Sequence, residues 1–148
     1  MIKSNESVQK ADFDKYYPTT LVYTVKGSNY FIGIDTKNNC VIYEIKSDGK
    51  INTDEPVQKK VLTAFHDDLQ VVYDPETNQQ FLVCISTNES ALFIYNIYAN
   101  GSIKEIENLK YTRESKQATA VYANNGFFYF YEQSKRTLGW EIRKFIKE

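Results

Sequence analysis

The sequence predicts an all-β protein built from three copies of a four-stranded antiparallel meander. Aromatic residues make up 15% of the 148-residue chain, with 12 Tyr and 9 Phe, and many of them stand beside Val or Ile. Those residue types suit a pleated, half-buried surface. Similar segments also recur at intervals of about 50 residues, as repeated structural units do. No window of a dozen residues carries the apolar pattern of an amphipathic helix.

The individual strands are predicted from apolar runs of strand length, each bounded by turn residues. Tyrosines at spacings of 50 and 49 residues mark the first strand of each repeat, and a Phe follows the first two tyrosines by eight residues. These positions are Tyr23, Tyr73 and Tyr122, with Phe31 and Phe81 in the second strands. The seven apolar runs cover residues 21–23, 30–34, 41–45, 71–73, 81–85, 92–97 and 127–131.

The third repeat carries a strong hairpin signal. Asn125-Gly126 separates two of its apolar runs. An Asn-Gly pair in that position favours a two-residue turn, because both residues tolerate positive φ.

The fourth strand of the repeat sets the phase of the chain. Residues 51–59 match residues 2–10, and a Val-Gln-Lys triplet stands at the same place in both. The chain therefore begins with a fourth strand and ends after a third strand. This phase predicts a single domain over residues 1–148 in which residues 2–10 complete the last repeat by pairing with residues 138–144.

Residues 71–106 resemble the blades of lactonase-type and YVTN-type β-propellers, and the pattern extends over nearly the whole chain. Tyr73-Asp74-Pro75, Phe81-Leu82-Val83 and the run from Ile94 to Ser102 carry the resemblance. It implies a β-propeller-like fold with three blades per chain. Propellers typically have four to eight blades. We therefore expect either a homodimer whose two halves make six blades, or a chain that stays open.

The alternative fold is a β-trefoil, a compact architecture of three repeats. A trefoil repeat needs a hairpin that crosses beneath the barrel between its second and fourth strands. Phe31 and Tyr43 are 12 residues apart, and Phe81 and Tyr95 are 14 apart. That spacing leaves room for one turn and no additional strand, so it favours the meander.

Composition excludes several classes of function. The chain has 18 Lys and Arg against 19 Asp and Glu, a formal net charge of -1, whereas nucleic-acid and polybasic membrane binders need a basic excess. No apolar run is long enough to span a membrane, and the N-terminus lacks a signal-peptide core, so a cytoplasmic location is expected. Cys40 and Cys84 are expected to be reduced thiols. A single histidine removes most zinc sites, and no metal or cofactor is expected.

The links before the first strand of each repeat are the longest, and they combine aromatic with charged residues. Loops on a rigid scaffold are where binding residues concentrate, so the links are predicted to share a ligand face. The alternative is that Phe13 and Phe65 anchor the links and that the charges are solvated. The predicted binding residues in the links are Tyr16, Tyr17, Phe65, His66, Asp67 and Arg113.

A second candidate site lies on the predicted third strands, where Tyr43, Tyr95 and Trp140 share one repeat position. Fucose-type propeller lectins use Trp, Arg and Glu between blades, and Trp140, Glu141 and Arg143 resemble that set. The resemblance implies an aromatic surface for the sugar ring and charged groups for its hydroxyls. The alternative is that the large aromatic side chain packs against the adjacent blade.

These features predict a non-enzymatic binding module that presents loop surfaces to a macromolecular partner and forms a homodimer. A carbohydrate-binding lectin is the alternative, so the expected partner is a protein or a glycan, with no nucleic acid and no membrane. A lactonase-like hydrolase is the third candidate; His66 and Asp67 are the residues on which it would depend, and no catalytic residue is assigned. The sequence contains no Gly-x-Ser-x-Gly elbow, and no residues match the ligands of lactonase-like enzymes one by one.

Overall fold

A computed structural model describes residues 6–86, 91–110, 117–133 and 140–145. These residues form eleven β-strands in three antiparallel sheets and contain no helix. The prediction of an all-β chain of repeated antiparallel strands is confirmed, and each of the seven apolar runs lies within a strand.

Every sheet is a meander in which each strand pairs with its neighbour in the sequence. Sheet 1 contains β1 (Thr19–Val25), β2 (Ser28–Ile34), β3 (Asn39–Ile45) and β4 (Gln58–Val61). Sheet 2 contains β5 (Asp68–Asp74), β6 (Gln79–Ser86), β7 (Ala91–Ile97) and β8 (Ile103–Lys110). In the described residues, sheet 3 contains β9 (Gln117–Asn124), β10 (Phe127–Gln133) and β11 (Trp140–Phe145).

The sheets stack with their first strands side by side, β1 against β5 and β5 against β9. One cluster of buried side chains fills the space between sheets 1 and 2, and a second fills the space between sheets 2 and 3. Sheet 2 is covered on both faces, which is why β6 and β7 are apolar almost throughout. Sheets 1 and 3 each keep one face that no other described sheet covers.

The three sheets are open and do not close into a ring within one chain. The described chain is therefore not a closed propeller by itself, and the number of blades in any assembly stays a prediction. The β-trefoil alternative is wrong for the described residues, because three separate open meanders do not form its single closed barrel.

Sheets 1 and 3 begin with the same kind of hairpin. Lys26-Gly27 joins β1 to β2 with φ of 48° and 83°, and Asn125-Gly126 joins β9 to β10 with φ of 54° and 81°. A two-residue turn with two positive φ angles matches the right-handed twist of the strands it joins. The predicted Asn-Gly hairpin is confirmed.

The alignment predicted between sheets 1 and 2 is wrong by one residue. Tyr23 and Tyr30 are buried between sheets 1 and 2, whereas Tyr73 is 52% exposed. Val72 and Phe81 are the side chains that face sheet 3 from sheet 2. A shift of one residue along a strand moves each side chain to the opposite face. Val72 and Phe81 are therefore the counterparts of Tyr23 and Tyr30.

The predicted closure of the domain by residues 2–10 can be followed only in part. Residues 6–10 form no strand, and the described pairing of β11 is with β10. Residues 1–5 and 134–139 lie outside the described part of the chain. Pairing of residues 2–10 with residues 138–144 stays a prediction.

Candidate binding faces

The predicted link residues lie in different environments. Tyr16 is 79% exposed, and Tyr17 is half-buried on the open side of sheet 1. His66 is completely buried between sheets 1 and 2, with Phe65 half-buried and Asp67 exposed on either side of it in the sequence. A shared ligand face made by the links stays a prediction, and His66 is not accessible at the surface.

His66 is part of the core between sheets 1 and 2. Its Nε2 atom lies 2.9 Å from the Tyr95 hydroxyl, and its ring centroid lies 4.8 Å from that of Phe93. Its backbone carbonyl accepts a hydrogen bond of 2.7 Å from the Thr19 hydroxyl. Burial lowers the pKa of His66 to about 4, so the ring is neutral at pH 7. These contacts make His66 a packing residue and not a surface base.

The open side of sheet 1, the sheet-1 face, is partly covered by the link before β1. Phe13 stacks on Phe31 and Tyr43, with ring centroids 5.5 and 6.1 Å apart. Tyr17 lies directly on Gly33, where an added Cβ atom would come within 2.8 Å of the tyrosine ring. The link is therefore seated on the sheet by aromatic contacts.

A cleft of about 270 Å³ lies between this link and strands β3 and β4. Lys15 reaches from the cleft to the buried Asp35, with Nζ 3.4 Å from the carboxylate. Burial acts to raise the pKa of Asp35, but hydrogen bonds from Asn39 and Lys37 outweigh burial and hold the pKa at about 2. Charged side chains and two tyrosines line the cleft. The charged residues are Asp14, Lys15, Lys59 and Lys60, and the tyrosines are Tyr17 and Tyr43.

Two glutamines make the same contact at equivalent places in the repeat. Gln58, at the start of β4, accepts a hydrogen bond of 2.8 Å from the Ile103 amide and donates one of 3.1 Å to the Ile103 carbonyl. Gln9 makes the same two bonds with Ile51, at 2.8 and 3.3 Å. The position of residues 6–12 relative to sheet 1 is therefore equivalent to the position of β4 relative to sheet 2. This equivalence agrees with the matching Val-Gln-Lys triplets.

Tyr17 and His66 also hold equivalent places, each two residues before the first strand of its sheet. His66 is buried because sheet 1 covers it, whereas Tyr17 is half-buried because no described sheet stands before sheet 1. Among the described strands, the sheet-1 face is thus the side of sheet 1 on which no other sheet is stacked.

The open side of sheet 3, the sheet-3 face, carries large side chains that solvent reaches. Tyr122 is 53% exposed, Trp140 is 68% exposed and Ile142 is 52% exposed. Lys144 places its Nζ atom 3.9 Å from the centroid of the Phe127 ring, in cation–π contact. Phe127, Tyr129 and Tyr131 on the same side of the sheet are half-buried. The face comprises Tyr122, Phe127, Tyr129, Tyr131, Trp140, Ile142 and Lys144.

Tyr122 and Tyr129 of this face repeat the Tyr23–Tyr30 pair of sheet 1. Both pairs flank a two-residue turn, and their rings stack with centroids 4.8 and 5.6 Å apart. The sheet-1 pair holds a turn of sheet 2. The Tyr23 hydroxyl donates a hydrogen bond to the Gly101 carbonyl, and the Tyr30 ring lies against Gly101 so closely that an added Cβ atom would come within 2.4 Å of it.

The repeat pattern of apolar runs does not predict this pairing of tyrosines, although the sequence contains a signal for it. A tyrosine is followed four residues later by the turn glycine and three residues after that by a second tyrosine. The pattern occurs as Tyr23, Gly27 and Tyr30, and as Tyr122, Gly126 and Tyr129.

The residues of the predicted lectin site are divided between the two sides of β11. Trp140 and Glu141 are consecutive, and consecutive residues of a strand point to opposite faces. Trp140 belongs to the sheet-3 face, so Glu141 is on the other side of the sheet. The side chain of Arg143 and the whole of Arg113 lie outside the described part of the structure.

The described ranges offer few groups for chemistry. They contain no cluster of three or more His, Cys, Asp or Glu side chains that could hold a metal ion. Cys40 and Cys84 are buried free thiols, and burial raises the pKa of both. Among the same residues no helix is long and apolar enough to cross a membrane.

No protein-family model matches the chain, and no curated protein is similar to it at a significant level.

Proposed function

We propose that the chain is a non-enzymatic, β-propeller-like binding module that engages a protein partner through the sheet-3 face. The single observation that carries the proposal is the stacked Tyr122–Tyr129 pair on the open side of sheet 3, in which Tyr122 is 53% exposed and Tyr129 is half-buried. The equivalent pair in sheet 1 already binds a glycine turn of the neighbouring sheet. The same groups on sheet 3 are directed outward, so they offer the same kind of contact to a partner.

The chemistry of the face favours a protein with a glycine-containing β-hairpin. Two stacked tyrosine rings provide apolar area, and their hydroxyl groups can donate hydrogen bonds to backbone carbonyls. A turn glycine lets the backbone approach an aromatic ring closely because it has no Cβ atom. Tyr131 and Ile142 extend the apolar area toward β11 and would contact the strands of the hairpin.

The burial of His66 weakens the case for the lactonase-like alternative. A general base must reach the proton that it removes, and His66 is completely buried against Tyr95. Its lowered pKa follows from the same burial and reflects packing.

A lectin remains the second candidate, because Trp140 on the sheet-3 face is 68% exposed, more than Tyr122 or Ile142. An exposed indole can stack on the apolar side of a sugar ring. Trp140 is the one tryptophan of the chain, so its fluorescence reports on that site alone. A shift of the emission during titration with sugars would favour this candidate, and a constant emission across a glycan panel would remove it.

The proposed function is tested with a cyclic peptide that contains residues 97–103, the turn held by Tyr23 and Tyr30. We expect the peptide to bind in calorimetry and to shift the amide NMR signals of β9 and β10. Tyr122→Ala should weaken binding by at least about tenfold, as the loss of a central aromatic contact does. The matched control is Tyr73→Ala, since Tyr73 is equally exposed and lies on sheet 2. At chain concentrations where single copies dominate, absence of binding, or equal binding to Tyr122→Ala, would overturn the proposal.

A further inference from the structure

We infer that the partner of the sheet-3 face is a second copy of this chain, docked through its sheet-1 face, so that two copies associate head to tail. The inference rests on the proposed function, because it names the occupant of the same face. Three observations on described residues support it: a matching turn, a matching strand and charges of opposite sign.

The matching turn is the link between β3 and β4. In sheet 2, Tyr98 and Ser102 close the Gly101 turn, and Gly101 has φ of 87°. In sheet 1, Lys46 and Lys50 close the same turn around a Gly49 whose φ is 85°. Gly101 is pressed against the Tyr30 ring, but an added Cβ atom on Gly49 would meet only Val8, at 3.8 Å. The Gly49 turn therefore has the form that a tyrosine pair accepts, and it lies on the open side of sheet 1.

The matching strand is the segment that contains Gln9. The Gln9–Ile51 contact repeats the Gln58–Ile103 contact, so residues 9–12 hold the place of a fourth strand belonging to a sheet before sheet 1. Sheet 3 has three strands in the described residues, and β11 is paired on one edge. The segment of one copy can thus supply the fourth strand to sheet 3 of the other copy.

The register of that added strand follows from sheet 1. Ile42 lies opposite Ile32, and Ile142 lies opposite Tyr131, and both partners stand five residues after the turn glycine of their hairpin. Ile142 is therefore the counterpart of Ile42, which pairs with Gln58 in β4. By this equivalence Gln9 of one copy stands opposite Ile142 of the other.

Charge complementarity supports the head-to-tail arrangement. The register places Lys10 opposite Glu141, and opposite charges at directly paired positions stabilise a sheet. Docking of the Gly49 turn on Tyr129 also brings Asp48, beside Gly49 in the sequence, toward Lys144, beside Tyr129 in the sheet. A contact between two sheet-3 faces would provide neither a glycine turn nor a fourth strand.

Two copies give six sheets, which is within the range of four to eight blades in which such sheets close into a ring. Each contact joins two different faces and is therefore heterologous. In a closed ring of two copies, both faces of each copy are covered. In such a ring, residues 9–12 of each copy would complete sheet 3 of the other copy.

The test compares two face variants with two matched controls by sedimentation velocity and native mass spectrometry at micromolar concentration. Gly49→Asn adds a side chain at the docking point of the turn, and Asn tolerates the positive φ. Tyr122→Arg alters the sheet-3 face. The controls make the same two changes outside the proposed contact. Gly27→Asn alters a turn glycine with open space around it, and Tyr73→Arg alters an exposed tyrosine of sheet 2.

We expect the unaltered chain and both controls to form dimers, and each face variant to dissociate at least about tenfold more readily. A mixture of the two face variants should recover association, because one of its two junctions combines an intact sheet-3 face with an intact sheet-1 face. A photoreactive benzoylphenylalanine at position 122 should crosslink to residues 46–50 of the other copy, which tests the contact even if Tyr122→Arg fails to fold.

Two results would overturn the inference. One is a monomeric unaltered chain at these concentrations. The other is a dimer that Gly49→Asn leaves unchanged, since two sheet-3 faces would then be in contact with each other. If the chain is monomeric but still binds the cyclic peptide, the proposed function stands with a different partner. If the peptide also fails to bind, both proposals are wrong.

Discussion

The tyrosine pairs of sheets 1 and 3 have nearly the same local structure but differ in exposure, since both members of the first pair are buried and both members of the second are reached by solvent. Tyr23 and Tyr30 are each 4% exposed, whereas Tyr122 is 53% exposed. Each pair flanks a two-residue turn with positive φ angles and stacks its rings across neighbouring strands. The difference is that sheet 2 places Gly101 on the first pair and no described sheet follows the second.

This comparison separates local structure from burial. A strand, its turn and its cross-strand pairs depend on residues close in the sequence. The exposure of those pairs depends on whether another sheet is stacked on them. The two turn glycines are equivalent positions, but another sheet covers only one of them. Comparing the same substitution at both therefore measures how much the stacking of sheets contributes to the free energy of unfolding.

The largest expected effect is at the two turn glycines. Gly101→Ala should lower the free energy of unfolding by about 3–4 kcal/mol, because a Cβ atom is strained at positive φ and would also overlap the Tyr30 ring. Gly49→Ala should cost a single copy about 1 kcal/mol, from strain alone. Urea denaturation at concentrations where single copies dominate measures both values.

Equal losses for the two glycine variants would break the comparison. That result would mean that the Gly101 turn does not press on Tyr30. Gly27→Ala is the control for strain at positive φ, since no atom lies within 4 Å of its added Cβ.

His66 and Tyr17 extend the comparison to pH. Burial lowers the pKa of His66 from 6.5 to about 4, so the unfolded chain binds a proton between these values and the native chain does not. Stability is therefore complete above pH 6.5 and falls as the pH drops toward 4, by about 3 kcal/mol in total. The equivalent Tyr17 contributes nothing in this range, because a phenol is neutral there.

The check is a series of urea denaturations from pH 7.5 to pH 4, at about half-unit steps. His66→Gln keeps a side chain that can bond the Tyr95 hydroxyl and should flatten the dependence. Asp35 and Asp74 have lowered pKa values, so their contributions are lost only below pH 3.8, outside this window. An unchanged slope in His66→Gln would show that other groups cause it.

The sequence predicts the strands well because strand formation depends on short apolar runs and on turn chemistry. The Asn125-Gly126 hairpin and the match between Gln9 and Gln58 follow from such local signals, and the structure agrees with both.

The alignment of sheet 2 could not be predicted in the same way. Its strands are buried on both faces, so β6 and β7 lack the alternation of apolar and polar residues that fixes a register. Residue type aligns Tyr73 with Tyr23, although Val72 holds the buried position. His66 was likewise predicted to lie in an exposed link, because its burial depends on sheet 1 and not on its neighbours in the sequence.

A smaller effect is expected at the two glutamines. Gln58→Ala should cost about 1–2 kcal/mol, because it leaves the amide and carbonyl of Ile103 without their partners in a part-buried position. Gln9→Ala should cost a single copy about 0.5 kcal/mol or less, since the equivalent contact with Ile51 is exposed to water. Hydrogen exchange at the Ile103 and Ile51 amides measures each loss locally. Equal effects would mean that sheet 2 does not shield the Gln58 contact.

The smallest effect concerns the tyrosine hydroxyls with which the comparison began. Burial raises the pKa of Tyr23, so its hydroxyl stays protonated and donates to the Gly101 carbonyl. Tyr23→Phe removes this donor and should lower the free energy of unfolding by about 1 kcal/mol. Tyr122→Phe should leave the stability of a single copy unchanged, because its hydroxyl lies at an exposed position. If the two copies meet as inferred, Tyr122→Phe should instead weaken their association by about thirtyfold, because the ring loses the same hydrogen bond at each of its two junctions. A loss of single-copy stability in Tyr122→Phe as large as that in Tyr23→Phe would mean that the hydroxyl acts within its own sheet, and the correspondence between the two pairs would then end at the backbone.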